Sequence, residues 1–199
     1  RTLAMDLLDI NPNLKIIDTA YVLKTDYSPE ELWLNPSSLL MMAENIRIGL
    51  SEYITSSYLI KEVDNNYEEL KVTLSELDAN YRLAVENTND KNIIVGNSAL
   101  KYLEKFGLNV ICLDNDATDK TIATAQELVD NKDVSYLIVF KNQTLPDNTT
   151  KFLENNSSIK KIELHRLDNL TDTERSDKKN YEVLTTNNLD LLKQEFDIN

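Results

Sequence analysis

The stretch Ile93-Ile94-Val95-Gly96-Asn97-Ser98-Ala99-Leu100-Lys101-Tyr102-Leu103-Glu104-Lys105-Phe106-Gly107-Leu108-Asn109-Val110-Ile111-Cys112-Leu113 decides the fold class. It opens on a short apolar run and passes through a helical segment, about Ser98 to Phe106, that stops at Gly107. It then returns to a second apolar run, Leu108 to Leu113. The alternation continues downstream. A helix is predicted over 119–129, a strand over 134–140, a short helix after Pro146, a strand over 159–164 and a last helix over 181–196. Short apolar runs alternating with helices predict a parallel sheet covered on both faces. The Ile, Val, Leu and Phe content of the runs fits burial on both sides. The expected class is α/β, with a parallel four-stranded sheet flanked by helices.

Toward the N-terminus the pattern changes. Val63, Tyr67, Leu70, Leu74, Leu77, Tyr81 and Ala84 alternate spacings of four and three. That predicts one long amphipathic helix, packed along its own protein or, alternatively, in a coiled-coil dimer. Asn35-Pro36 reads as a helix start, with Asn as N-cap and Pro in the first helical position. The helix after it carries Leu40, Ala43, Ile46, Leu50 and Ile54 on one face. Leu14-Lys15-Ile16-Ile17-Asp18 reads as a short buried strand. Residues 171–180 read as a polar, charged loop.

Composition narrows the function. The formal charge is −13 and the pI is near 4.5. That disfavours nucleic-acid binding, which depends on Lys and Arg neutralising phosphates. It also disfavours adsorption to an anionic membrane. No run approaches the roughly 18 apolar residues of a membrane span. No signal peptide is present, and a chain beginning at Arg1 is expected to be a fragment of a longer one. The single cysteine, Cys112, lies inside an apolar run and reads as a buried, inert thiol.

In open parallel sheets, ligands bind at the C-terminal ends of the strands. Those ends are Gly96-Asn97, Asp114-Asn115-Asp116, Lys141-Asn142-Gln143 and His165-Arg166-Leu167-Asp168. All four are polar, as a site requires and as exposed loops generally are. No Gly-x-Ser-x-Gly elbow or phosphate loop is present, and Cys112 and His165 have no recognisable catalytic partners. Asp114 to Asp119 has some flavour of a calcium loop, but it lacks the required Gly and closing Glu. Thr118 or Asp119 as an N-cap explains it better.

The segment Trp33-Leu34-Asn35-Pro36 before a long helix resembles the His-x-Trp-Leu-Asp/Asn-Pro segment of cluster A-I solute-binding proteins. These are the zinc and manganese receptors of ABC importers. The long helix resembles their interlobe helix. Ala99 to Leu108 resembles the helix after their second metal histidine. Leu167-Asp168-Asn169-Leu170, a polar loop, Tyr181 and Asn188-Leu189 resemble their last turn and helix. The resemblance covers about residues 14–198. It implies three parts: 1–60 as the remnant of an N-terminal lobe, 61–89 as a connecting helix, and 90–199 as the C-terminal α/β lobe.

The resemblance also implies a site and a role. Family members hold the metal with four side chains, and the matching positions here are Glu31, Asn97, a residue near Lys141, and Asp168. His165 is a further nitrogen donor three residues before Asp168. Zinc favours imidazole and thiolate. An oxygen set of Glu, Asn and Asp suits manganese, magnesium or calcium better than zinc, and Lys141 would repel any dication. Zn or Mn, or no metal, are the implied cofactors. Lys141 pairing with Glu31 and Asp168 in place of a metal is one further expectation. The implied role is binding and delivery, not catalysis, with an ABC permease in the membrane as partner. The protein would sit on the outer face of a bacterial membrane through a lipid anchor absent from this chain, and a dimer is possible. The alternatives are a surface adhesin on the same scaffold and an unrecognised α/β enzyme.

Overall fold

The computed structural model describes residues 2–196. In chain order the elements are α1 (Thr2–Ile10), α2 (Glu31–Leu34), α3 (Pro36–Tyr53), α4 (Ser57–Glu86), β1 (Asn92–Val95), a 3₁₀ helix (Ser98–Phe106) and β2 (Asn109–Cys112). Then follow α5 (Asp119–Asp130), β3 (Tyr136–Phe140), α6 (Asp147–Asn155), β4 (Lys160–Leu164), α7 (Asp172–Ser176) and α8 (Tyr181–Phe196). The four strands form one parallel sheet in the order β2-β1-β3-β4. This is the α/β architecture that the apolar alternation predicts.

Successive side chains of a strand point to opposite faces, and the two cores follow that rule. Ile93, Val95, Val110, Ile138, Phe140, Ile162 and Leu164 face the 3₁₀ helix, α8 and the C-terminal half of α4. Ile94, Ile111, Leu137 and Val139 face α5 and α6, where Ala125 and Phe152 are buried. The Ser98–Phe106 segment is helical as expected, but of 3₁₀ type. Its buried residues explain this, because Leu100, Leu103 and Phe106 recur every three residues, as do Ala99 and Tyr102. A 3₁₀ helix eclipses positions i and i+3 and so presents both rows to the core. Gly107 ends it at φ +97, a left-handed conformation that costs a residue with a Cβ.

The long helix α4 has 30 residues, about 45 Å at 1.5 Å per residue. Only its second half is core: Leu74, Leu77, Tyr81 and Val85 are buried, whereas Leu70 is exposed. Its first half packs on α3. Asn35 caps α3 through its side chain, with Pro36 at the first position, as the sequence predicts.

Two expectations need correction. Residues 14–18 form no strand, and Leu14 and Ile16 are exposed at 36% and 38%. A strand exists only by pairing, and no described strand lies alongside to complete its backbone hydrogen bonds. Within 171–180 the loop contains the short helix α7, closed by a capping box between Thr171 and Glu174. That Thr-x-x-Glu pattern is legible in the sequence. Among the described residues no helix is long and apolar enough to cross a membrane.

Candidate functional site

The C-terminal ends of the strands carry the candidate residues. β1 ends at Val95 and is followed by Gly96, where an added Cβ would lie 3.0 Å from Thr149 Cγ2 and from Val139 Cγ1. Only glycine allows the α6 side chain to approach this closely. The next residue, Asn97, is the N-cap of the 3₁₀ helix. Its Oδ1 accepts from the Ala99 amide (2.8 Å), and its Nδ2 donates to Gln143 Oε1 (3.2 Å). Asn97, Gln143, Asp114 and Asn115 line a hollow of about 510 Å³ over the first three strand ends.

A second hollow, about 360 Å³, lies beside the loop after β4 and is lined by Asp168, Arg175 and Tyr181 among others. Asn188 of α8, buried, brackets the start of this loop. Its Oδ1 accepts from the His165 amide (2.7 Å), and its Nδ2 donates to the His165 carbonyl (2.8 Å). The Leu167 amide donates to His165 Nδ1 (2.9 Å), so this ring nitrogen is committed and Nε2 faces Glu174 Oε1 at 3.6 Å. Leu167 itself sits at φ +62 and Asn142, in the loop after β3, at φ +59. For a leucine that conformation costs about 1–2 kcal/mol. Val22, Lys132 and Lys178, outside these two loops, adopt the same left-handed conformation, so it does not single out the site.

The elbow at α2 docks on the same loop. The Trp33 indole N–H donates to the Arg166 carbonyl (3.1 Å), and the Tyr181 hydroxyl donates to the Trp33 carbonyl (2.8 Å). This fastening places Glu30 beside the β4 loop. The Arg166 guanidinium lies between two carboxylates, with Nη2 3.6 Å from Glu30 Oε1 and Nε 3.5 Å from Asp168 Oδ2.

The sequence-predicted residues therefore have mixed fates. Asp168 and His165 share one loop. Glu31 turns away, its carboxylate accepting from the amides of Asp26 (3.2 Å), Tyr27 (2.5 Å) and Ser28 (2.6 Å). Its neighbour Glu30 takes the place beside Asp168, a one-residue shift that periodicity in a four-residue helix cannot resolve. Lys141 pairs with neither Glu31 nor Asp168, and among the described residues it makes no ion pair within 4 Å. Its charge acts on Glu174 instead. The Thr171 amide and hydroxyl hold the Glu174 carboxyl below its ordinary range against burial, helped by His165 and Lys141. Sequence reasoning missed Glu30, Arg166 and Glu174, although Arg166 stood in the quoted loop.

Among the described residues no three His, Cys, Asp or Glu side chains converge as a metal-holding group. The donors present are each engaged: Glu31 by amides, Asn97 by a helix start, His165 Nδ1 by Leu167, and Asp168 by Arg166. In this arrangement they do not fit a ready four-donor metal site. Elsewhere, Cys112 is partly buried, and burial pushes its thiol up to about 12, too high for a nucleophile at neutral pH. Thr118 caps α5 through the Thr121 amide (3.2 Å), which accounts for the Asp-rich turn before it.

Comparison with known proteins follows the same line. Residues 9–195 match the family model described as ZnuA, zinc-uptake complex component A, periplasmic. The zinc-binding protein AdcA of Streptococcus pyogenes serotype M1 is 27% identical over 174 residues, covering 84% of this chain and 33% of that protein. The chain thus spans about a third of the length of the curated relatives it matches. The Zn(II)-bound ZnuA-like domain of Streptococcus pneumoniae AdcA superposes with a TM-score of 0.70 at 22% identity, over 98% of this chain and 76% of that one. The laminin-binding protein Lmb of Streptococcus agalactiae, described as a bifunctional protein with adhesin and metal-transporting activity, gives a TM-score of 0.73 at 18% identity over 94% of this chain and 74% of that one. At these identities the structural likeness carries the fold alone.

Proposed function

We propose, on the premise that this chain belongs to the ZnuA family of zinc-uptake components, that it binds a divalent metal and delivers it to an ABC permease. The family is one of transport binding components, so the role is capture and release rather than catalysis. Zinc and manganese are the two candidates for cargo. Delivery takes place outside the cytoplasmic membrane, where a lipid anchor would hold the receptor.

The observation that carries this reading is the docking of the α2 elbow on the loop after β4 through the Trp33–Arg166 hydrogen bond. It supports a cleft in which Glu30 from the elbow and Asp168 from the loop share one counter-ion. Asp168 and His165 are the donors assigned to the metal, with Glu30 as a third oxygen source. Glu31 and Asn97 serve the backbone first and are secondary. Such a set binds weakly compared with four well-placed imidazole and carboxylate ligands.

Calorimetric titration of the metal-free protein with Zn(II) and Mn(II) tests it. The expected result is one-to-one binding that weakens at least about tenfold, or about 1.4 kcal/mol, in Asp168→Ala. Absence of binding at millimolar metal, or binding indifferent to Asp168→Ala, overturns the reading.

A further inference from the structure

We propose that Arg166 is a resident cation that holds the carboxylates of the cleft in place of the cargo ion, so that a divalent metal binds only by displacing it. The inference rests on the metal-receptor reading above and adds a residue that controls its affinity.

Three observations converge on Arg166. First, one guanidinium reaches two carboxylates from two separate elements, Glu30 before α2 and Asp168 after β4. Second, its backbone is pinned, because the Trp33 indole donates to its carbonyl. Third, its side chain lies over the Phe140 ring, 5.9 Å from the centroid, at the end of β3. The guanidinium is therefore held from below by an aromatic face and from two sides by acids, about one-third exposed. Lys141, the cation that the family positions point to, makes no such pairing among the described residues.

The chemistry follows from what a guanidinium is. It carries one positive charge, which offsets half of the negative charge of the Glu30 and Asp168 carboxylates it lies between. It donates but has no lone pair to offer a metal. A dication approaching Asp168 meets a fixed positive charge and must move it before the carboxylate is free. Loss of the charge should therefore strengthen metal binding, the opposite of what removing an ordinary binding residue does.

The test uses the full metal-free chain titrated with ZnCl₂ and MnCl₂. Arg166→Gln is expected to bind at least about tenfold tighter than the parent, while Arg166→Lys stays within about threefold of it. Adding Glu30→Gln to Arg166→Gln should take back part of the gain. Where the parent binds and Arg166→Gln is no tighter, the inference fails and the receptor reading stands. If neither binds either metal, both fail. A metal-free arm is independent of cargo: thermal unfolding of Glu30→Gln, Arg166→Gln and the double variant. The two shifts in Tm should sum to more than the shift of the double variant. Additive shifts would mean that the ion pair does not form, and the inference falls whatever the metal does.

Discussion

Glu195 shows at the scale of one residue how position overrides residue type. It lies near the C-terminal end of α8, 7% exposed, and both carboxylate oxygens accept from the Ser135 amide at 3.1 and 3.3 Å. Burial pushes its carboxyl up to about 7, against the backbone amides of Ser135 and Tyr136, which favour the ionised form. The folded chain thus holds a proton that the unfolded chain, with an ordinary carboxyl of 4.5, gives up. The stability this contributes is complete below pH 4.5 and is lost as pH rises through about 7. Glu195→Gln should remove this slope. Discounted for residual solvent screening, the variant should gain about 2 kcal/mol relative to the parent between pH 5 and pH 8. Urea unfolding at both pH values measures it, and parallel pH profiles for the two proteins would contradict the assignment. Glu31 belongs to the same class of residue. Its family position reads as a ligand, yet three backbone amides claim its carboxylate.

Among elements, the junction of α3, α4 and the 3₁₀ helix is tied by one side chain. Lys105 Nζ donates to Asn35 Oδ1, to Ser37 Oγ (2.8 Å) and to Asp78 Oδ1 (3.1 Å). Ser37 Oγ donates in turn to Asp78 Oδ1 (2.5 Å), and Arg82 Nε lies 2.8 Å from Asp78 Oδ2. Burial lowers the Lys105 ammonium, and Asp78 opposes this. The network joins the helix start at Asn35-Pro36 to the long helix and to the sheet layer. Lys105→Met keeps the aliphatic stem but leaves Asp78 less well paired. It should cost about 1–2 kcal/mol. The costs of Lys105→Met and Asp78→Ala should not add, since they break one network. Denaturant unfolding of the three variants decides this, and strict additivity would mean that the two side chains act separately. None of this network is visible as a sequence motif, since its members lie at 35, 37, 78, 82 and 105.

For the whole molecule, the described chain is unevenly consolidated. Buried hydrophobic side chains begin at Leu34 and resume at Leu74, while Leu3, Met5, Ile10, Tyr21 and Val22 are exposed. Residues 14–18 belong to no helix or strand. Native-state hydrogen exchange should therefore separate two classes of amide. Those of β1 and β3 should exchange only on global unfolding, and those of 14–18 should exchange at least about a hundredfold faster. Equal protection would show that a further surface covers the N-terminal segment. Local pattern was enough to determine α3, α4, α5, α6, α8 and the helical segment after β1, the four core strands, the N-cap at Asn35, the stop at Gly107 and the parallel α/β class, but not α1, α2 or α7. Those features depend on periodicity, capping chemistry and burial on both sides of a sheet, all of which neighbouring residues encode. Local pattern also brought Asp168 and His165 into consideration, because both stand at a strand end. Tertiary structure alone decided that residues 14–18 remain unpaired, because a strand needs a partner that its own sequence cannot supply. It alone decided that Glu30 rather than Glu31 faces the loop after β4, and that Arg166 rather than Lys141 is the cation between the acids. Those choices turn on a few ångströms between residues more than a hundred positions apart, and no periodicity within either segment records that distance.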